Sequence, residues 1–216
     1  MTGTLTIGPG DALLVIDVQN DFCPGGALAV AGGDEVVAIV NRLARRFANV
    51  ILTQDWHPAG HSSFASIHPG RQPFETVEAS YGPQTLWPDH CVQGTPGAAL
   101  HAALAIPHAA LVVRKGMQPA IDSYSAFLEN DHTTPTGLGG YLRERGIARL
   151  FAAGLAFDFC VRYSAEDAAA QGFTVLVVED ACRGIDLDGS VAATRQSLAQ
   201  RGIACVRAAD VGCAAE

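Results

Sequence analysis

Four apolar runs in this chain stop at, or run into, a chemically active side chain. Leu13-Leu14-Val15-Ile16 stops at Asp17, and Val50-Ile51-Leu52-Thr53-Gln54 stops at Asp55. Leu111-Val112-Val113-Arg114 stops at Lys115, and Leu150-Phe151-Ala152-Ala153-Gly154-Leu155 runs on into Cys160. If the runs are parallel strands, their carboxyl ends lie along one edge of a sheet, where open α/β folds place their active sites. One pocket would then hold an acid, a lysine, a cysteine and a cluster of metal ligands.

The intervening sequence supports that architecture. Asp34 to Phe47 carries apolar residues at helical spacing and is followed by the β-branched run Asn49 to Gln54. Further along, a strand at 110–114, a helix at 138–145, a strand at 149–154, a helix at 160–171, a strand at 173–179, a helix at 190–201 and a strand at 203–206 alternate. Gly146, Gly172 and Gly202 follow the three helices as C-cap signals. Strands separated by helices imply a parallel sheet with right-handed crossovers. The stretch from Pro58 to Pro96 has no clear period and is longer than an ordinary loop.

Bulk properties narrow the function. With 216 residues, against ~150 per domain, a single domain over 1–216 is expected, with a long loop at about 56–96. A net charge of -8 and scattered basic residues give no nucleic-acid footprint. The most apolar long stretch, 98–113, is broken by His101, Pro107 and His108, too short for a membrane span. No basic-then-apolar leader opens the chain, so a cytoplasmic protein is expected. Its 6 cysteines then read as reduced thiols.

Asp55-Trp56-His57-Pro58-Ala59-Gly60-His61, with His90 further along, places one carboxylate and three imidazoles just past a strand end. Such donors suit Zn, Fe or Mn and leave coordination positions open for water or substrate. His68 and Cys91 compete as ligands. Cys160 opens a helical pattern, where the macrodipole would lower its pKa and make it a nucleophile. Lys115 would stabilise the thiolate, and Asp17 could take its proton. Cys182, Cys205 and Cys213 read as small, inert core residues.

Together these residues resemble the nicotinamidases of the isochorismatase-like cysteine hydrolases. The resemblance is carried by Val15-Ile16-Asp17-Val18-Gln19-Asn20-Asp21-Phe22, the Asp55/His57/His61/His90 set, Lys115-Gly116 and the elbow Gly154-Leu155-Ala156-x-Asp158-x-Cys160-Val161. Relatives that hydrolyse isochorismate lack the cysteine, and carbamoylsarcosine amidases lack the metal set. This chain has both.

The resemblance implies a three-layer α/β sandwich, with a six-stranded, mostly parallel sheet and helices on both faces. It implies a catalytic triad of Asp17, Lys115 and Cys160, and one divalent metal held by Asp55, His57, His61 and His90. A cis peptide would join Leu155 to Ala156, and the backbone N–H groups of Ala156 and Cys160 would form the oxyanion hole. Phe22 and Trp87 would sandwich the substrate ring, or else simply pack in the core. Nicotinamide would be hydrolysed to nicotinate and ammonia through a thioester on Cys160, with its pyridine nitrogen on the metal, directly or through a bound water. Pyrazinamide would be a second substrate. No nucleic acid or membrane partner is implied, and a homo-oligomer stays open.

One departure is Phe157-Asp158-Phe159, where many relatives have Thr-Asp followed by Tyr or His. It makes the pocket wall more apolar. The stretch 63–81 is also longer than in compact relatives. Three other readings stay open: an amidase for another carboxamide or carbamoyl compound, hydrolysis by metal-bound hydroxide with Cys160 a bystander, and a non-catalytic metal-binding module.

Overall fold

The computed structural model describes residues 5–213. In chain order the strands are β1 (Leu5–Ile7), β2 (Asp11–Ile16), β3 (Asn49–Asp55), β4 (Thr76–Ala79), β5 (Gly82–Thr85), β6 (Leu111–Lys115), β7 (Arg149–Leu155), β8 (Thr174–Arg183), β9 (Ala204–Val206) and β10 (Val211–Cys213). The helices are α1 (Glu35–Ala44), α2 (Leu138–Glu144), α3 (Arg162–Ala170) and α4 (Ser190–Gln200). Six strands form one sheet in the order β6-β3-β2-β7-β8-β9, and every pairing in it is parallel.

Alternating side chains of the sheet feed two separate cores, because successive Cβ atoms of a strand point to opposite faces. Leu13 and Val15 of β2 pack with Val36, Val40 and Leu43 of α1. Ala12, Leu14 and Ile16 pack with Leu138 and Leu142 of α2, Ala165 and Ala168 of α3, and Leu198 of α4. The result is the expected sandwich, with helices on both faces. Every residue of β2 is buried, which is why this strand reads as an unbroken apolar run. Each fully buried Leu or Ile contributes ~2 kcal/mol from area removed from water.

The order β6-β3-β2-β7 decides where the chemistry lies. Lys115 and Asp55 close β6 and β3, Asp17 follows β2, and Leu155 closes β7 just before the elbow, so four neighbouring strand ends share one edge. At Gly154 (φ 124°) a Cβ would overlap the Ile16 carbonyl of the adjacent strand, so only glycine lets β7 approach β2 here. The same place carries a register shift between β7 and β8, beyond which Leu155 pairs with Arg183. This irregularity lets β8 run to Arg183, four residues further than its sequence pattern predicts.

Three features were not legible in the pattern. β1 pairs in parallel with β10, and β4 with β5 forms an antiparallel hairpin inside the long loop. Cys160 does not open a regular helix; it lies in a π-helical turn, Phe157–Val161, and α3 starts at Arg162. Of the cysteines read as inert core, Cys182 is buried and Cys205 is exposed, while the Cys213 side chain lies outside the described residues. None of the described helices is long and apolar enough to cross a membrane.

Candidate active site

Lys115 is the hub, an ammonium group with no solvent exposure. Its Nζ lies 2.9 Å from Asp17 Oδ2, 2.8 Å from the Ser123 carbonyl and 3.5 Å from Cys160 Sγ, and it also donates to Asp55 Oδ1. An isolated buried ammonium would shed its proton. Burial does act against this charge, but Asp17 and then Asp55 outweigh it and hold the Lys115 pKa well above its ordinary value.

The two carboxylates that share Lys115 are pushed in opposite directions. Burial outweighs the pull of Lys115 at Asp17 and raises its pKa, whereas at Asp55 burial is overcome by Lys115 and His57, and the pKa falls well below the usual carboxylate range. Asp17 is therefore the better base and Asp55 the permanent anion. Asp17 is fixed by a short local circuit: its N–H donates to Thr53 Oγ1 at 3.1 Å, and the Thr53 hydroxyl donates back to Oδ1 at 2.5 Å. Its φ of 47° is a left-handed conformation that Asp tolerates better than most residues.

Cys160 completes the cluster, with its sulfur and one oxygen from each of Asp17 and Asp55 within 4.8 Å of one another. Burial raises the thiol pKa well above normal, and Lys115 only partly opposes it. The expected low-pKa thiolate at a helix end is thus corrected. The thiol lies beside a carboxylate whose pKa is also raised by burial. The peptide between Leu155 and Ala156 is cis, as the resemblance implied. The turn after it is closed through the Ala156 carbonyl, which accepts the N–H groups of Phe159 and Val161, each at 3.1 Å.

Asp55 also faces the imidazoles. His57 Nε2 lies 3.7 Å and His90 Nε2 3.9 Å from Asp55 Oδ2. Each ring is oriented from its other nitrogen, His57 Nδ1 donating to the Gly116 carbonyl at 2.9 Å and His90 Nδ1 to the Pro88 carbonyl at 2.8 Å. Such backbone partners fix the tautomer of metal-binding histidines. His57 Nε2 is buried without a hydrogen-bond partner. Burial and the neighbouring His57 push His90 down to about 4, so its ring is neutral and available to a cation. Asp55, His57 and His90 form a group able to hold a divalent metal.

His61 stands differently. Its ring packs 4.4 Å from that of His57, and it groups with His57 and Asp122 rather than with Asp55 and His90. Its Nε2 donates to the carbonyls of Gln118 (2.9 Å) and Ile121 (3.1 Å), and its Nδ1 accepts from the Ser63 hydroxyl at 2.8 Å. Neither His68 nor Cys91 belongs to any potential metal group among the described residues. His68 Nε2 donates to the Ser62 carbonyl, and Cys91 is buried, with its N–H on Asp21.

Between triad and imidazoles lies a small, tight cavity lined by Phe22, Leu28, Trp87, Tyr124, Phe159 and Ile185, with Asp55, His90, Asp122 and Cys160 also in its wall. Both aromatics singled out in the sequence are in its wall. Trp87 stands edge-on to Phe159, with centroids 4.9 Å apart, and its Nε1–H donates to Tyr124 Oη at 3.2 Å. Asp122, Ser123 and Tyr124 were not legible in the sequence, because 116–137 lacks helix, strand and period. Gln19 and Asp21 belong to a motif that was recognised, but their work shows only in three dimensions. Gln19 accepts the Asp55 N–H and donates to the Asp55 carbonyl, each at 2.8 Å, and Asp21 accepts the N–H of Cys91, next to His90, at 2.7 Å.

Residues 11–210 match the isochorismatase domain family. The chain belongs to the isochorismatase family. Within it, the chain is 53% identical to a nicotinamidase of Acinetobacter baylyi over 192 residues, covering 89% of this chain and 90% of the relative. A solved nicotinamidase/pyrazinamidase structure from Acinetobacter baumanii superposes with a TM-score of 0.93 at 56% identity, covering 94% of this chain and 98% of that one. A pyrazinamidase of Pyrococcus horikoshii, solved in complex with zinc, gives a TM-score of 0.76 at 35% identity, covering 92% of this chain and 99% of that one.

Proposed function

We propose that this chain is a metal-dependent nicotinamidase that hydrolyses nicotinamide to nicotinate and ammonia and also accepts pyrazinamide. The observation that carries the reading is one shared ammonium. Lys115 Nζ lies within 2.9 Å of Asp17 and 3.5 Å of Cys160 and also donates to Asp55, whose other oxygen faces two imidazoles. That joins a nucleophilic centre to an anchoring centre across a small, aromatic-walled pocket. Likeness to nicotinamidases over nine-tenths of the chain supports the choice of substrate.

In this reading Asp17 takes the Cys160 thiol proton as sulfur attacks the carboxamide carbon, with Lys115 balancing the negative charge that moves from one to the other. The N–H groups of Ala156 and Cys160 receive the tetrahedral oxyanion. Asp17 returns the proton to the amide nitrogen, the C–N bond breaks and ammonia leaves a thioester on Cys160. Asp17 next deprotonates a water, which adds to the thioester; the C–S bond breaks, nicotinate leaves and sulfur regains the proton. Phe22 and Trp87 hold the flat ring so that its carbonyl faces sulfur.

We assign Asp55, His57 and His90 as the metal ligands, with Asp122 beside them and His61 bracing His57. Their donor set fits Zn, Fe or Mn. A cation there supplies a Lewis-acidic anchor for the pyridine nitrogen, directly or through a bound water. A free nucleophilic thiol goes with a reducing, cytoplasmic setting.

The test is ammonia release from nicotinamide, pyrazinamide and an aliphatic amide, with mass spectrometry of acid-quenched enzyme. The expected result is turnover of the two heteroaromatic amides and a nicotinoyl adduct on Cys160. Turnover of aliphatic amides alone, or turnover retained in Cys160→Ala, overturns the assignment.

A further inference from the structure

Asp158 takes part in none of the steps above, yet it is a carboxylate with 1% exposure, two residues before the nucleophile. No basic side chain pairs with it among the described residues. Instead it reaches across to the segment that follows β8. Oδ1 accepts the Ile185 N–H at 2.9 Å, and Oδ2 accepts the Asp186 N–H at 2.7 Å and the Ser190 hydroxyl at 2.5 Å. A buried carboxylate with three donors is well satisfied, and all three donors come from the short segment between β8 and the first residue of α4.

That segment has its own 3-10 turn, Leu187–Gly189, and a bond from the Val191 N–H to Asp186 Oδ1 at 3.2 Å, but its backbone is unusual. Asp186 and Asp188 adopt left-handed backbone, at φ 58° and 51°, and Gly189 follows at φ 80°. Non-glycine residues rarely adopt this region, and they keep it only where the surroundings impose it. The side chain carried at the head of the loop, Ile185, is part of the cavity wall, together with Phe159 and Cys160.

We propose that Asp158 is a positioning residue which sets the width of the substrate cavity, by fastening the 184–190 segment to the nucleophile's own turn and so fixing Ile185 in the cavity wall that Cys160 also lines. The inference rests on the nicotinamidase reading for its substrate but not for its geometry. The π-helical turn then has two outputs. Cys160 supplies the sulfur, and Asp158 supplies the wall that keeps a flat ring aligned with it.

The experiment is a double-mutant cycle in the full chain with Asp158→Asn, Ile185→Ala and the pair. Asn keeps the shape of Asp but replaces one acceptor by a donor, so at least one of the two backbone N–H groups faces a like group. D158N is expected to raise KM for nicotinamide about tenfold with kcat within about threefold, because ring placement is lost before chemistry. I185A is expected to do the same, and the double variant to be within about twofold of I185A alone, since both act through one wall.

A second readout needs no amide turnover. Cys160 labelling, resolved by peptide mass spectrometry, is compared for N-phenylmaleimide and iodoacetamide, and the bulky-to-small rate ratio is expected to rise about tenfold in D158N. Additive KM effects, or a fall in kcat with KM and the labelling ratio unchanged, overturn the proposal. If D158N does not fold, Ser190→Ala removes one of the three bonds and is expected to raise the ratio about twofold; an unchanged ratio then overturns it. If wild-type protein leaves nicotinamide untouched, the proposed activity falls, and the labelling ratio alone decides the role of Asp158.

Discussion

The two halves of the site are built by different means. Asp17, Asp55 and Lys115 stand on or next to the last residues of adjacent parallel strands, and ladder register sets their spacing: Asp55 is paired with Lys115, and Ile16 with Gly154 of the strand that leads to Cys160. Among the described residues, the imidazole half has only a single bridge, between His57 and Val92. The rings of His57, His61 and His90 come from loop segments and are oriented by polar clamps to backbone carbonyls: Gly116 on His57, Gln118 and Ile121 on His61, Pro88 on His90. The sheet gives the triad a geometry that side-chain substitution hardly moves. The clamps give the imidazoles one that is lost bond by bond. Variants of the first half should abolish chemistry and spare the fold, and variants of the second should grade metal affinity.

The largest expected effect is that of Cys160→Ala, a loss of at least about 10⁴ in kcat/KM, because the covalent route disappears. Metal content should stay at the wild-type level, since none of Asp55, His57 and His90 needs the sulfur. Elemental analysis of the inactive variant checks this. Loss of metal along with activity would break the division into two halves.

Next come the neighbours of the thiol, which separate activity from reactivity. Asp17→Asn and Lys115→Met should each reduce turnover by about 10³ or more, yet shift Cys160 labelling in opposite directions. The anion of Asp17 raises the thiol pKa and the cation of Lys115 lowers it. Removing Asp17 therefore brings the pKa down, and labelling by iodoacetamide at a fixed pH of about 8 becomes faster; removing Lys115 makes it slower. In wild-type protein the raised pKa means that labelling keeps climbing beyond pH ~8.5, where an ordinary cysteine is half ionised. A pH series of labelling rates for the three proteins tests both signs.

How much of this could be read from the residues follows the same division. The strand-end half was legible, because a buried parallel strand is a short apolar run and its last residue marks the sheet edge. The six-stranded parallel sheet, the cis peptide and the helices on both faces came from the family resemblance and agree with the structure, whereas the order of the strands is shown only by the fold. What failed to show was whatever lacks a period. Asp122, Ser123 and Tyr124 sit in an irregular segment, and only folding brings Ser123 onto Lys115 and Tyr124 onto Trp87. Residue type alone also misjudged Cys160. Burial opposes any lowering by the helix terminus or Lys115 and raises the Cys160 thiol pKa.

The imidazole half is probed by removing the metal. Chelation is expected to raise KM for nicotinamide by about 10- to 100-fold through lost orientation, with the rate of Cys160 labelling changed less than about threefold. His57→Ala and His90→Ala should weaken zinc binding by about 100-fold or more, measured by competition with a chromogenic chelator. Equal loss of labelling and metal would mean that the halves are coupled through Asp55, which touches both.

The smallest effect, and the one that sharpens the comparison most, concerns His61. With Nε2–H donating to two carbonyls and Nδ1 accepting from Ser63, its ring offers no free lone pair to a cation in this geometry. Its contact with His57 makes it a brace, so a replacement that keeps the donor at Nε2 should keep the metal. Gln at position 61 carries an amide donor at a similar reach, and His61→Gln is expected to hold zinc within about threefold of wild type. His61→Ala, which frees the 118–121 carbonyls and leaves His57 unsupported, should cost about tenfold, in the range of other outer-shell losses. If His61→Gln instead loses as much as His90→Ala, the ring must turn to ligate. The loop half would then be a four-ligand site that rearranges when it takes its cation, unlike the strand-end half, which is already set.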